Sequence, residues 1–389
     1  AVYKGNAKVP EVQAAVDNYN TVVGNADKGE ATTAQIQAAV DAVTAADQVV
    51  KAARTAATDA LSLNTNPVSN ESTVIAAQTA LKQALANSGS SSAQLKQVVT
   101  DYKTAIANAR MERTKAKNSG AAIVTAANAQ AQVPEVAAAI AAYNDVVKNA
   151  DANKATTAEV TAAGAAVQAA DKAATDAKND AATALNQNAS PVSNETTVQA
   201  AKTALQDLVD NPASSTADLT STTAAYTQAI TDAKAARETT KTSTKASVDA
   251  ATSTAKEVTD AKTNYNNVVT AADAGTATTA DIQAAADAVT AANTAAEAGR
   301  TTGQTSLDQD ASPVANETPV SAAKSTLDDL MKDPTSSTSA ITDAATAYDK
   351  AIADAKKDRE DTKTNTKASV DAATSTAKEV TDAKTNYNN

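Results

Sequence analysis

Four valines and a tyrosine draw one apolar stripe at the beginning of the chain: Val9, Val12, Val16, Tyr19 and Val23 are spaced 3, 4, 3 and 4, the period of a helix face. Val133, Val136, Ile140, Tyr143 and Val147 draw it again. Val258, Tyr265 and Val269 draw it a third time, with Lys262 in place of an aliphatic. A second helix is expected to open at Thr32-Thr33-Ala34-Gln35, a capping box in which hydroxyl and amide satisfy reciprocal backbone donors, and to run to about Leu63. Its copies are Thr156…Glu159 and Thr278…Asp281. Pro67–Glu71 then breaks the pattern, since Pro cannot continue a helix and Ser and Asn favour turns. Thr318-Pro319 places Thr at N-cap and Pro at N1 of a third helix, and Ser72 and Thr196 align with that Thr. The third helix carries Val74, Ala77, Leu81 and Leu85 and ends near Asn87-Ser88-Gly89, Asn211-Pro212 or Asp333-Pro334. A fourth starts at Ser91, Ser215 or Ser337, shows Leu95, Tyr102 and Ile106 on one face, and continues to about Gln132. The fourth break is Val133-Pro134 in one copy; in the next it is Thr254-Ala255-Lys256-Glu257, read as another capping box. No strand-like alternation persists.

The same segments recur along the chain. Val9-Pro10-Glu11-Val12 returns 124 residues later as Val133-Pro134-Glu135-Val136. Pro67-Val68-Ser69-Asn70-Glu71 returns after 124 residues as Pro191–Glu195, and after a further 122 as Pro313–Glu317. Arg237–Asn267 reappears as Arg359–Asn389 with two changes, Thr239/Asp361 and Ser243/Asn365. Residues 9–132, 133–254 and 255–376 are therefore expected to be three repeats, 377–389 the start of a fourth, and the whole an excerpt from a longer array. Within a repeat, short helices (about 134–150 and 197–210) alternate with long ones (about 156–187 and 215–253). Four reversals per repeat are an even number, so successive repeats can advance along one axis. The expected class is all-α: tandem three-helix bundles, two per repeat, fused through shared long helices into an elongated spectrin-like rod. At ~1.5 Å per helical residue and three helices in cross-section, that rod would span roughly 170 Å. Whether the break near Gln132, Thr254 and Thr376 is a true reversal is left open by the residues.

Composition narrows the chemistry. The 389 residues include no Cys, His, Trp or Phe and only 8 Tyr, and most of the 42% apolar content is Ala. Histidine acid–base work, thiol nucleophiles and His or Cys metal sites are excluded because the atoms are missing. A net charge of −11 repels nucleic-acid phosphates and anionic lipid. No apolar run approaches the ~20 residues of a membrane span, so neither a nucleic-acid partner nor membrane insertion is expected. There is no secretory h-region, and any export signal is expected outside the segment. Absence of Cys fits an extracellular protein.

Tyr19, Tyr143, Tyr265 and Tyr387 form one series, and Tyr102, Tyr226 and Tyr348 follow the first three at a constant 83 residues. That spacing gives one large ring per expected bundle, read as a core plug rather than a ligand platform. Tyr3 stands outside the series. Other candidates are sparse. Asn70-Glu71-Ser72, Asn194-Glu195-Thr196, Asn316-Glu317-Thr318 and Asn188-Ala189-Ser190 match the N-glycosylation pattern, but turns and caps account for these residue types. The loop Asp27-Lys28-Gly29-Glu30 and its copies Asp151-Ala152-Asn153 and Asp273-Ala274-Gly275 lack the alternation of a calcium loop. Asp328 and Asp329 read as wet helix surface rather than a hydrolytic pair. Arg110, Arg113, Lys115 and Lys117, with Glu112 among them, read as a charged stretch of a long helix before a phosphate-binding patch. No regular 11-residue Thr ladder of an ice-binding helix is present. No catalytic, cofactor-binding or metal-ligating residue is assigned.

A short helix joined to a long one by a Ser/Thr loop, as in Val198–Ala233 with Asn211-Pro212-Ala213-Ser214-Ser215, resembles the FIVAR modules of Gram-positive surface proteins. Val12–Ala46 looks like a degenerate second version. The paired units are similar to the FIVAR- and GA-type helical repeats of cell-wall adhesins such as the staphylococcal giant extracellular-matrix-binding protein. The resemblance implies an extracellular, cell-wall-attached stalk without catalytic residues, monomeric, whose partners are neighbouring repeats of the same chain. The other function left open is a multivalent array in which each repeat weakly engages a glycan or a host matrix protein.

Overall fold

Alanine is the residue that costs least to place in a helix, and the chain spends it accordingly. The computed structural model describes Asn6 and residues 8–389, and among them the fold is all-α: thirteen α-helices, a 3-10 turn at Asn128–Gln130 and no strand. Tyr3 lies outside the described residues. The helices are α1 (Pro10–Ala26), α2 (Thr33–Leu61), α3 (Ser72–Ala86), α4 (Ser92–Ala127), α5 (Pro134–Asp151), α6 (Thr157–Leu185) and α7 (Thr196–Asp210). They continue as α8 (Thr216–Ala250), α9 (Lys256–Asp273), α10 (Thr279–Leu307), α11 (Thr318–Lys332), α12 (Thr338–Ala372) and α13 (Lys378–Asn388). Short and long helices alternate through α12 as the break signals require.

Most starts follow the local chemistry. Thr32 and Thr278 complete capping boxes with Gln35 and Asp281, and Thr156 exchanges the same two bonds with Glu159. Ser91 and Ser337 cap α4 and α12, and the Ser215 hydroxyl accepts from the Asp218 N–H. Four starts, those of α3, α7, α9 and α11, differ from the sequence reading. Glu71 and Glu317, not Ser72 and Thr318, are the N-caps of α3 and α11; Thr196 likewise lies inside α7. Pro319 therefore sits second in its helix, where its missing N–H is still one of the donors that no helix satisfies. Nor does Thr254 open a capping box. The N-cap of α9 is Ala255, and Thr254 Oγ donates instead to the Pro334 carbonyl at 2.9 Å.

The fourth breaks are built in two ways. α4 stops at Ala127 rather than near Gln132, and Val133 is extended (φ −68, ψ 125), as a residue before Pro must be. α8 stops at Ala250, and Lys262, which interrupts the apolar stripe of α9, donates to the Ala251 carbonyl at 2.5 Å. The polar replacement in the stripe thus closes the end of the preceding helix.

The chain divides into two compact units: residues up to Leu185 with Leu205–Thr223, and Asn186–Ala204 with Ala224–Asn389. In the first, α1 meets α2 through Val9, Val12 and Val50. Further along, α2, α3 and the N-terminal half of α4 close on Ala57, Val74, Leu81, Leu95, Tyr102 and Ile106. The C-terminal half of α4 enters a different core with α5 and α6, around Val133, Val136, Tyr143, Val160 and Val167. Chain direction is set by long-range bonds. Arg54 of α2 donates to the Leu85 carbonyl at the end of α3, so α3 runs back along α2. Tyr143 Oη donates to the Lys117 carbonyl at 2.8 Å, so α5 runs back along α4: the break near Gln132 is a reversal.

The second unit repeats both arrangements. Val248 and Ala251 join α9 and α10 around Val258, Tyr265, Ile282 and Val289. α10 continues into a core with α11 and α12 around Val320, Leu327, Ile341, Tyr348 and Ile352, and Arg300 donates to the Met331 carbonyl as Arg54 does to Leu85.

Candidate functional site

An arginine in the middle of a long helix would ordinarily face water, but Arg113 and Arg237 are 2% and 1% exposed. Each ties four segments together. Arg113 Nη1 donates to the Ala150 carbonyl at 2.6 Å and to the Pro67 carbonyl; Nη2 donates to Ala155 O at 2.9 Å, Asn70 Oδ1 at 3.2 Å and Glu71 Oε1 at 2.5 Å. The same Glu71 oxygen accepts from the Thr157 N–H at 2.7 Å and the Thr157 hydroxyl at 2.6 Å. In the second unit Arg237 bonds the carbonyls of Pro191, Ala272 and Ala277 and the carboxylate of Glu195, which accepts from Thr279 N–H and Oγ at 2.7 and 2.6 Å.

The polarity matches the helix ends. The guanidinium meets the carbonyls that end α5 or α9, and the carboxylate meets the N–H that opens α6 or α10. Between those helices the turn uses a left-handed residue in every copy: Gly29 (φ 81), Asn153 (φ 57) and Gly275 (φ 79). At Gly275 an added Cβ would also lie 3.3 Å from the Pro191 carbonyl oxygen.

A second carboxylate set does the same for the fourth helix of each repeat. Glu11 accepts from the Ser92 N–H at 2.6 Å, Glu135 from Thr216 at 3.2 Å, and Glu257 from Thr338 at 2.7 Å. Each donor is the first residue of its helix, so the starts of α4, α6, α8, α10 and α12 all receive a carboxylate from a distant part of the chain.

Burial pushes the Glu71 carboxyl up, but the Thr157 hydroxyl, the Thr157 N–H and Arg113 together outweigh it and leave the pKa lowered. Glu195 is lowered in the same way by Thr279 and Arg237 against burial, and Glu11 and Glu257 by Ser92 and Thr338. A carboxyl whose folded pKa is depressed contributes stability that is full above its unfolded value and fades as pH falls through the folded one. Melting temperature is therefore expected to hold from pH 7 to about pH 4.5 and to drop below about pH 4.3, with Glu71→Gln shallowing that drop. Circular-dichroism melts across this range test it, and an acid-insensitive wild type would refute the assignment.

The other sequence candidates are engaged in the fold. Arg110 donates to the carbonyls of Asn64 and Asn66, and Lys117 pairs with Asp151 at 2.8 Å, while Lys115 stays exposed beside Glu112. Within this charged stretch of the long helix Arg113 is buried, held by the five acceptors above and by the Thr157 hydroxyl, 3.4 Å from its Nε. Asn70 and Asn194 accept from the two buried arginines, and Asn188 accepts from the Ser190 N–H. Asp328 and Asp329 pair with Lys324 and Lys332 on their own helix. Tyr102, Tyr143, Tyr226, Tyr265 and Tyr348 are at most 5% exposed, Tyr19 is half-buried, and Tyr387 is 40% exposed.

The latch was missed at the sequence level, although a signal existed. The chain has six arginines, and three of them, Arg113, Arg237 and Arg359, follow Glu71, Glu195 and Glu317 by 42 residues in every copy. Among the described residues no group of three or more acidic side chains is placed to hold a metal ion, and no helix is long and apolar enough to cross a membrane. Compared with protein-family models, curated proteins and solved structures, the chain matches none.

Proposed function

We propose that this chain is a stalk: a run of tandem three-helix bundles, fused through shared long helices into a spectrin-like rod, that holds a terminal binding domain away from a bacterial cell wall. The observation that carries the reading is α4, one uninterrupted helix of 36 residues whose two halves belong to two different cores. A continuous helix transmits orientation from one core to the next, which a flexible linker does not. The repeats 9–132, 133–254 and 255–376 then act as interchangeable length units. The titratable groups fit a mechanical role, since the lowered carboxyls at Glu71 and Glu195 are spent on joining helix ends. FIVAR/GA-like organisation, cell-wall attachment and an extracellular location come with this proposal by resemblance.

Small-angle scattering tests it. A maximum dimension of roughly 170 Å is expected from ~1.5 Å per helical residue, and one below about 90 Å would remove the rod.

A further inference from the structure

The turns that close α3, α7 and α11 share one geometry, and only the last joins a carboxyl, a proline nitrogen and a guanidinium. Asn87-Ser88, Asn211-Pro212 and Asp333-Pro334 occupy the same register. In each, the side-chain oxygen of the first residue accepts from the N–H two residues on, at 2.9, 3.0 and 2.9 Å. Its carbonyl accepts from the N–H three residues on, at 3.1, 3.1 and 3.2 Å. Arg54 Nη2 also donates to the Asn87 carbonyl, but there the side chain is an amide and the next residue is Ser88. At Asn211 the guanidinium is missing, because Lys178 stands at the register of Arg54 and donates to Gln130 Oε1. At Asp333 nothing is missing. Arg300 Nη2 donates to the Asp333 carbonyl oxygen at 2.8 Å and the Ser336 N–H at 3.2 Å, two donors on the oxygen of the one Asp–Pro bond in the sequence. Asp333 and Pro334 are both exposed, so water and protons reach them.

We propose that the Asp333–Pro334 peptide bond is a self-cleavage site, cut by the Asp333 carboxylate while Arg300 and the Ser336 N–H hold the charge that develops on the carbonyl oxygen. The Thr335 N–H and hydroxyl hold Oδ1 at 2.9 and 2.7 Å, and Oδ2 is the oxygen left to attack. It forms a bond to the Asp333 carbonyl carbon, closing a five-membered cyclic anhydride, and the bond from that carbon to the Pro334 nitrogen breaks. A proton from solvent goes to the departing nitrogen. One water then opens the anhydride, leaving Asp333 with two carboxyls at a new C-terminus and Pro334 at a new N-terminus. The Thr335 bonds, aided by the charge of Arg300, hold the Asp333 carboxyl below its usual range, so the nucleophile is ionised in mild acid. The charged groups around the loop are Arg300 and Glu297 of α10, Asp329 and Lys332 of α11, and Glu257 of α9, which is bound to Thr338. Thr254 holds the Pro334 carbonyl, and α11 and α12 share a core, so the nicked pieces stay together in the fold. The inference is independent of the proposed cell-surface role, because it concerns one bond and its neighbours.

Mass spectrometry of the full chain, held for several days at about pH 5 where the latch carboxyls remain ionised, tests it. One nick is expected, giving a piece that ends at Asp333 and a piece that begins at Pro334, with Asn211–Pro212 left whole. At about pH 7 the rate should fall at least about tenfold, because the departing nitrogen needs a proton. The same chain unfolded in urea at about pH 5 keeps its Asp–Pro bond but loses both donors, and should cleave at least about tenfold more slowly than the folded one. Asp333→Asn, which restores the residue of the other two turns, should abolish the nick. Arg300→Gln should slow it at least about tenfold. A wild type that stays whole, an unfolded chain that cleaves as fast as the folded one, an Asp333→Asn chain that is nicked alike, or an Arg300→Gln chain that keeps the wild-type rate would each overturn the proposal. Circular dichroism of both variants separates a lost donor from a lost fold, and the urea comparison stands without any variant.

Discussion

Arg113→Ala is expected to destabilise the first unit by about 3–5 kcal/mol, the cost of removing one partner from a buried ion pair. The substitution leaves Glu71, whose side chain is only 14% exposed, without its cation, and strips a donor from the carbonyls of Ala150 and Ala155. Arg113→Lys should recover little, because one ammonium cannot span the acceptors that the planar fork reaches. Lys115→Ala, two residues along the same helix and 74% exposed at the side chain, should stay within about 0.5 kcal/mol and serves as the control. Urea unfolding of the whole chain reads all three. Equal midpoints for Arg113→Ala and Lys115→Ala would mean that the latch does not hold the helices. The effect should also reach beyond the latch, since α4 belongs to two cores and loosening its middle uncouples them.

Tyr102→Ala is expected to cost a further class of energy, about 3–5 kcal/mol, through the cavity left where the ring stood. Tyr102 is fully buried among Ala57, Leu81, Leu95 and Ile106, in a chain that has no Phe or Trp to take up the space. Its hydroxyl contributes little: the one bond it makes, from Gln78 Nε2, is 3.4 Å long. Tyr102→Phe should therefore cost less than about 1 kcal/mol, at the low end for a hydrogen bond. Tyr387→Ala, at an exposed ring, should fall within about 0.5 kcal/mol. Denaturant midpoints for the three variants separate ring packing from hydroxyl bonding; a Phe variant as weak as the Ala variant would show that the hydroxyl matters and the ring does not.

Helix identity was legible in the residues because its causes are local. Thr32, Ser91 and Thr278 announce helix starts through bonds that reach three residues along the chain, while Pro134 opens α5 and Gly29 turns the chain after α1 through their own backbone preferences. The same local logic misplaced the start at Ser72 and Thr318. There the preceding glutamate had to be outside the helix, with the Glu71 side chain aimed at Thr157 and away from its own N-terminus. Lys262 shows the reverse case: read along α9 it looks like a flaw in the stripe, and read in space it is the donor for Ala251.

The sequence by itself determined that this chain is helical, repetitive and poor in groups that do chemistry, because propensity, capping and composition act over a few residues. What only the tertiary structure decided is how the helices are fastened. Glu71 and Thr157 are 86 residues apart and Arg113 and Ala150 are 37, and nothing local in any of them records the other. Burying an arginine becomes favourable only once several carbonyls and a carboxylate converge on it, and that convergence exists in the folded chain alone.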